Sequence, residues 1–377
     1  MYSTMKKIIL SILFIAIGFS SFAQEKVNFT EKFKRDNHGK YKIEINELKE
    51  LLHIMIAITN SGKENDDMIE QEGQYYKDVR SYFKPFENEP IIKTFDSLMN
   101  VSIYNYIFLT GNAISYHFKG NKLVKSDVFI FPANAVSGNL KIDKNPITPY
   151  KTQIEAFAKK ANFSKFYSDH KPFYKGIIAE YEKKANLGKQ WKWLENNFET
   201  KKDSYLILCS PLIKGLNYTG QFNNNNFSLI HMNLPPVDND ANLTPLENEL
   251  LNTRVMFTEI DHNYVGAPTE ANKELINQIF ADRKKWVDEK VYGISAYPNP
   301  IKVFDEYMTY AVFVLYCKDR YGDVILQKVI KDINIQMTER GFTKMKMFTE
   351  KLLQARLSNP NQKIDEWYPQ FIKQFAQ

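Results

Sequence analysis

Cysteine is nearly absent from this chain: two residues in 377, Cys209 in YLILCSPL and Cys317 in FVLYCKDR. Two thiols exclude a metal site built from cysteine. Both sit in apolar runs, where cysteine serves as a small buried hydrophobe; whether the two pair in an oxidising compartment stays open. An excess of charge of one sign is also missing. Fifty Lys and Arg are interspersed with 44 Asp and Glu, for a formal charge of +6 without a basic block or stripe. A nucleic-acid partner is therefore not expected. Beyond the first 23 residues no apolar run is long enough to span a bilayer, and no internal repeat is visible.

The N-terminus carries a pattern of its own. Lys6 and Lys7 precede the short apolar core Ile8–Phe19, and Ser21-Phe22-Ala23 ends in small residues before Gln24. This reads as a secretory signal peptide, residues 1–23, cleaved near Ala23-Gln24. No cysteine follows the apolar core, so a lipoprotein anchor is not expected. The mature chain is expected to be exported, periplasmic or extracellular. With 44% hydrophobic and 14% aromatic residues it has the means for a substantial core.

Along the chain, apolar residues recur mainly at three- and four-residue steps. Asn46–Ile58 predicts a buried helix, and Gln153–Ala161, Phe166–Lys184 and Lys189–Phe198 predict three more. SYLILCSPL and FSLIHMNL read as strands flanking a Gly- and Asn-rich segment, which predicts a small antiparallel hairpin or sheet with Asn223–Asn226 at a loop tip. The loop SGNLKIDKNPITP is the best candidate for an internal boundary. The expected class is α+β, mainly helical. A mostly helical N-terminal region (24–145) precedes a region (146–377) in which a small antiparallel sheet leads into a motif helix at 244–266. A second helix is expected at 303–321, and the C-terminal region is helical.

The motif helix opens with Thr244 placed to cap it and Pro245 at its first position. Inside it, Thr258-Glu259-Ile260-Asp261-His262 is the zincin pattern H-E-x-x-H with threonine for the first histidine. In the intact pattern two histidines one turn apart hold zinc and the glutamate acts as general base. At about 100° per residue, positions 258 and 262 share a face, Glu259 lies to one side and Asp261 to the other. A neutral hydroxyl is a poor substitute for imidazole. Alone, E-x-x-H is a weak signal, and by spacing an ordinary polar helix face accounts for it better than a metal site does.

In the gluzincin arrangement a glutamate from a second, downstream helix completes the ligand set. VFDEYMTYAVFVLYCKDRY (Val303–Tyr321) is a strongly apolar helix with Glu306 near its start. Burying a carboxylate there is costly without a partner; against that, Asp305 and Glu306 at a helix N-terminus are favoured by the helix dipole alone. The residues leave both readings open.

Taken with FSKFYSDHKPFY (Phe163–Tyr174) and GFTKMKMF…WYPQF (Gly341–Phe348, Trp367–Phe371), the segment FTEIDHNYV resembles a family of exported bacterial proteins of undefined function that are treated as gluzincin-type zinc metallopeptidases. The resemblance spans the chain roughly from Asn46 to the end. It implies Glu259 as general base, His262 and Glu306 as zinc ligands, and Thr258 at the position of the lost ligand. Tyr292 or Tyr297 could supply an oxyanion contact, and His231 could compensate for the missing ligand. A second E-x-x-H is absent, so a di-iron site has no support.

Three functions follow from these residues. The first is an exported zinc-metallopeptidase-like protein with a degenerate site, acting weakly or not at all on peptide or protein substrates, with zinc held loosely or absent. The second is a competent metal-dependent hydrolase with a rearranged ligand set. The third is a non-enzymatic binding or structural protein of the cell envelope. The oligomeric state is not readable from the sequence.

Overall fold

A computed structural model describes residues 26–131, 136–137, 140–291 and 293–376. The leader read at residues 1–23 lies outside them, as does Tyr292. The chain is mainly helical with a small sheet, the α+β class expected. It divides into two compact units, one running to Tyr181 and including Lys202–Val237, the other formed by Glu182–Lys201 and Asp238–Gln377. The loop at residues 137–149, the candidate boundary, lies within the first unit.

In the first unit four strands make one sheet in the order β1 (Lys40–Glu44), β2 (Ser204–Cys209), β4 (Phe227–Leu234), β3 (Tyr218–Asn224). The hairpin β3–β4 is antiparallel, with Phe227 opposite Asn224. Asn225 and Asn226 form its tip at φ 51 and 53. A two-residue hairpin turn of this kind needs positive φ at both positions, which asparagine tolerates better than most side chains. The pairings of β2 with β4 and of β1 with β2 are parallel, unlike the antiparallel arrangement expected for SYLILC and FSLIHMNL. The segment between them supplies β3, so β4 arrives alongside β2 in the same direction. All six β2 residues are buried, as suits a central strand covered on both faces. Leu206 and Leu208 pack with Phe29, Phe222 and Leu229 on one face.

Helix α1 (Glu47–Ala57) is buried over all but its first residue. It carries polar residues into that interior. Lys49 donates to the Thr110 carbonyl at 3.2 Å and sits 5.6 Å from the Tyr218 ring centroid. Glu50 accepts from the Tyr75 hydroxyl at 2.7 Å, and His53 Nδ1 faces the Tyr106 hydroxyl at 3.3 Å. Burial pushes the Lys49 ammonium down to about 7 and the Glu50 carboxyl up to about 7.

The second unit is built on helices α2 (Leu187–Asn197), α3 (Pro245–Ala271), α4 (Pro300–Arg320), α5 (Asp323–Glu339), α6 (Met345–Ser358) and α7 (Ile364–Lys373). Helix α3 starts as expected: the Thr244 side chain accepts from the Glu247 N–H, and Glu247 accepts in return from the Thr244 N–H, a reciprocal cap. It ends five residues later than the expected stop at Gly266, because Pro268 falls in the last turn, where its ring costs a single backbone bond. Helix α4 begins three residues earlier than expected, capped by Asn299 accepting from the Lys302 N–H, with Pro300 at its first position. Every residue from Val303 to Cys317 is buried, as in a helix packed on all sides. Phe257 of α3 meets Trp193, Phe313 and Tyr316. The C-terminal aromatics Phe348, Phe371 and Phe375 pack on one another. Cys209 and Cys317 are both buried free thiols. Among the described residues, no helix is long and apolar enough to cross a membrane.

Candidate functional site

The early start of α4 decides between the two readings of its acids. Asp305 and Glu306 sit in the second turn, beyond the free N–H groups of the first, so the helix terminus does not explain them. They face α3 instead. His262 Nδ1 lies 3.3 Å from Asp305 Oδ2 and 3.2 Å from Thr309 Oγ1, while its Nε2 lies 3.8 Å from Glu306 Oε2. Thus the structure brings together Glu259, His262 and Glu306, three of the residues picked from the sequence.

Four carboxyl groups crowd this place. Glu259, Asp261, Asp305 and Glu306 are each at most 8% exposed. Burial, with the charge of Glu306 adding, pushes the Glu259 carboxyl up to about 7, against the opposing pull of His262. Burial and the charges of Asp305, Glu306 and Glu259 hold Asp261 well above the carboxylate range. Among the described residues no side chain donates to either oxygen of Asp261, and Glu259 Oε2 and Asp305 Oδ1 are buried without hydrogen-bond partners. For His262, burial alone would disfavour the imidazolium. The Asp305 hydrogen bond and the charges of Asp305, Glu306 and Glu259 outweigh it and raise its pKa.

The positive charge comes from a residue the sequence reading passed over. Arg340, at the C-terminal cap of α5, donates through Nη2 to Glu306 Oε1 at 2.6 Å and to the Tyr297 hydroxyl at 2.8 Å. Its guanidinium carbon sits 5.1 Å from the Tyr310 ring centroid and 5.7 Å from that of Phe342. Burial disfavours its charge, but Tyr310, Tyr297 and Glu306 together keep it firmly protonated. Tyr297 therefore belongs to the site as a partner of Arg340, with burial holding its own hydroxyl proton. No local signal marked Arg340, which lies 34 residues beyond Glu306. Asp305 and Thr309 were findable in principle, being one turn apart on the face that meets His262.

Local contacts account for two other expected positions. The Thr258 hydroxyl is buried and bonds back to the carbonyls of Arg254 at 3.1 Å and Val255 at 3.3 Å, so it is spent on its own helix. His231 lies on β4. Its ring stacks on Phe222 at 4.5 Å, its Nδ1 faces Asn233, and a side chain at Gly220 would meet its Nε2 at 2.4 Å. Packing accounts for that histidine. Among the described residues no three His, Cys, Asp or Glu side chains are arranged to hold a metal ion. Two positions that a three-ligand zinc site would use are engaged otherwise: the Thr258 hydroxyl bonds to its own helix, and one oxygen of Glu306 is held by Arg340.

No protein-family model, no curated protein and no solved structure matches this chain. The functional reading accordingly rests on the site itself.

Proposed function

We propose that this chain is an exported zinc-metallopeptidase-like protein whose metal site is degenerate, leaving it weakly active or inactive on peptide substrates. The observation that carries this reading is the sharing of the Glu306 carboxylate between His262 and Arg340. The pairing of Glu259-x-x-His262 on one helix with a glutamate on a second helix is the layout of a gluzincin site. The charge that a metal would bring is supplied by the Arg340 guanidinium instead. Without a bound ion to activate water, Glu259 has little to act on.

The rearranged-ligand hydrolase is favoured by one observation, the buried oxygens Glu259 Oε2 and Asp305 Oδ1 without hydrogen-bond partners, which a hard cation would satisfy. Metal analysis of the full chain purified under zinc-replete conditions separates the readings. The degenerate site predicts well under one zinc per chain and no cleavage of denatured protein substrates. Stoichiometric zinc that disappears in His262→Ala would overturn it. An envelope protein of purely binding or structural role predicts no metal and no cleavage even after Thr258→His.

A further inference from the structure

We infer that Arg340 takes the electrostatic place of a metal ion, and that a divalent-cation site formed by His262 and Glu306 lies latent behind it. The inference rests on the reading of this site as a degenerate metal centre. Two ligands of one tetrahedral zinc, each about 2.1 Å from the ion, stand roughly 3.4 Å apart. The 3.8 Å between His262 Nε2 and Glu306 Oε2 is close to that spacing, so the pair is preformed. What denies it an ion is the guanidinium on the other Glu306 oxygen at 2.6 Å. A divalent cation seated on the same carboxylate would face that fixed positive charge within a few ångströms, in surroundings too dry to screen it.

Arg340 is not a surface side chain that strays into the site. Gly341 N–H bonds to the Thr338 carbonyl and Phe342 N–H to the Met337 carbonyl, the paired bonds of a Schellman stop that fixes how the chain leaves α5. Gly341 holds φ +92 for this turn, and a side chain there would press on Val291 and the Asp288 carbonyl. The stop aims Arg340 inward and places Phe342 beside its guanidinium. Tyr297 fixes one edge and Glu306 accepts from the same nitrogen. A cation built in this way stays in place when metal is offered.

The exchange is one of charge, with no covalent bond made or broken, so substitutions that keep or remove the charge test it. Zinc would be titrated into the full chain against a competing chromophoric chelator, and cobalt bound in parallel to read coordination from its visible absorption. Arg340→Met is expected to bind zinc at least tenfold more tightly than the parent, and Arg340→Lys, which keeps the charge, no more tightly. Arg340→Gln, which retains a donor to Glu306 without the charge, should behave like Arg340→Met and stands in for it if the methionine variant does not fold. The gain should vanish when His262→Ala is added. A folded Arg340→Met or Arg340→Gln with no gain in affinity overturns the inference while leaving the degenerate-site reading intact. Stoichiometric tight zinc in the parent chain would instead overturn that reading. An affinity gain shared by Arg340→Lys would show that space, not charge, had kept the ion out, and would also overturn the inference.

Discussion

His262 and Asp305 are locked together across two helices, imidazole Nδ1 to carboxylate Oδ2 at 3.3 Å, inside a cluster that holds three further carboxyl groups. The bond raises the histidine above its ordinary value, so it favours the folded chain where the unfolded histidine is also protonated. That contribution is complete below about pH 6.5 and is lost as pH rises through the raised folded value. Asp305→Asn should remove it and bring the His262 titration down, read from the imidazole proton resonance. The stability difference between parent and Asp305→Asn, measured by urea unfolding, should be largest near pH 6 and shrink by pH 9. A difference that grows with pH would show that the aspartate acts through something other than the imidazolium.

The Lys49 ammonium gives the opposite lesson, since among the described residues it has no ion-pair partner where it is buried. Its pKa falls from 10.5 to about 7, so its cost to folding is absent above about pH 10.5 and grows as pH falls to 7. Lys49→Met should stabilise the first unit at pH 7 by about 1–3 kcal/mol, with the gain fading toward pH 10.5. Glu50 runs the other way: its cost appears above pH 4.5 and is complete above about pH 7. Glu50→Gln should therefore help at pH 8 and not at pH 4. Denaturant midpoints across this range check both.

Gly220→Ala would put a methyl group 2.4 Å from His231 Nε2 in a closely packed sheet. We expect a loss of about 2 kcal/mol or more. In a His231→Ala background the same change should cost far less, because the ring it strikes is gone. Additive costs in the double-mutant cycle would show that the two positions do not meet.

Thr258→Val keeps the shape and deletes the hydroxyl. That hydroxyl bonds only to carbonyls of its own turn, so the change should alter stability by less than about 1 kcal/mol. The metal content should not move. A fall in bound zinc would identify the hydroxyl as a ligand.

The sequence made the motif helix legible because its signals are local: a capping threonine, a first-turn proline and an acid–histidine pair one turn apart. The helix carrying Glu306 was legible for the same reason, through its long apolar run. Its starting point was not, because Asn299-Pro300 was outweighed by the apolar pattern that begins at Val303. The stop at Gly266-Ala267-Pro268 misled in a similar way, since proline near a helix end breaks very little. Arg340 could not be read at all. Its role depends on α5 turning back to the acids of α4, and an arginine before a glycine at a helix end is commonplace. The parallel pairing of β1 with β2 was hidden by distance, for nothing in KYKIE names a partner so far along the chain.

That distance has a consequence for how the molecule comes to exist. Lys40 and Ser204, at the start of β1 and β2, are 164 residues apart. At the usual pace of translation, β1 waits roughly 10–30 s before its neighbour is made. The chain also passes between the two units three times, near residues 181, 201 and 237, so no single cut releases either one whole. A chain stalled or clipped before residue 204 carries β1 with an open edge, the kind of edge on which nascent polypeptides adhere to one another.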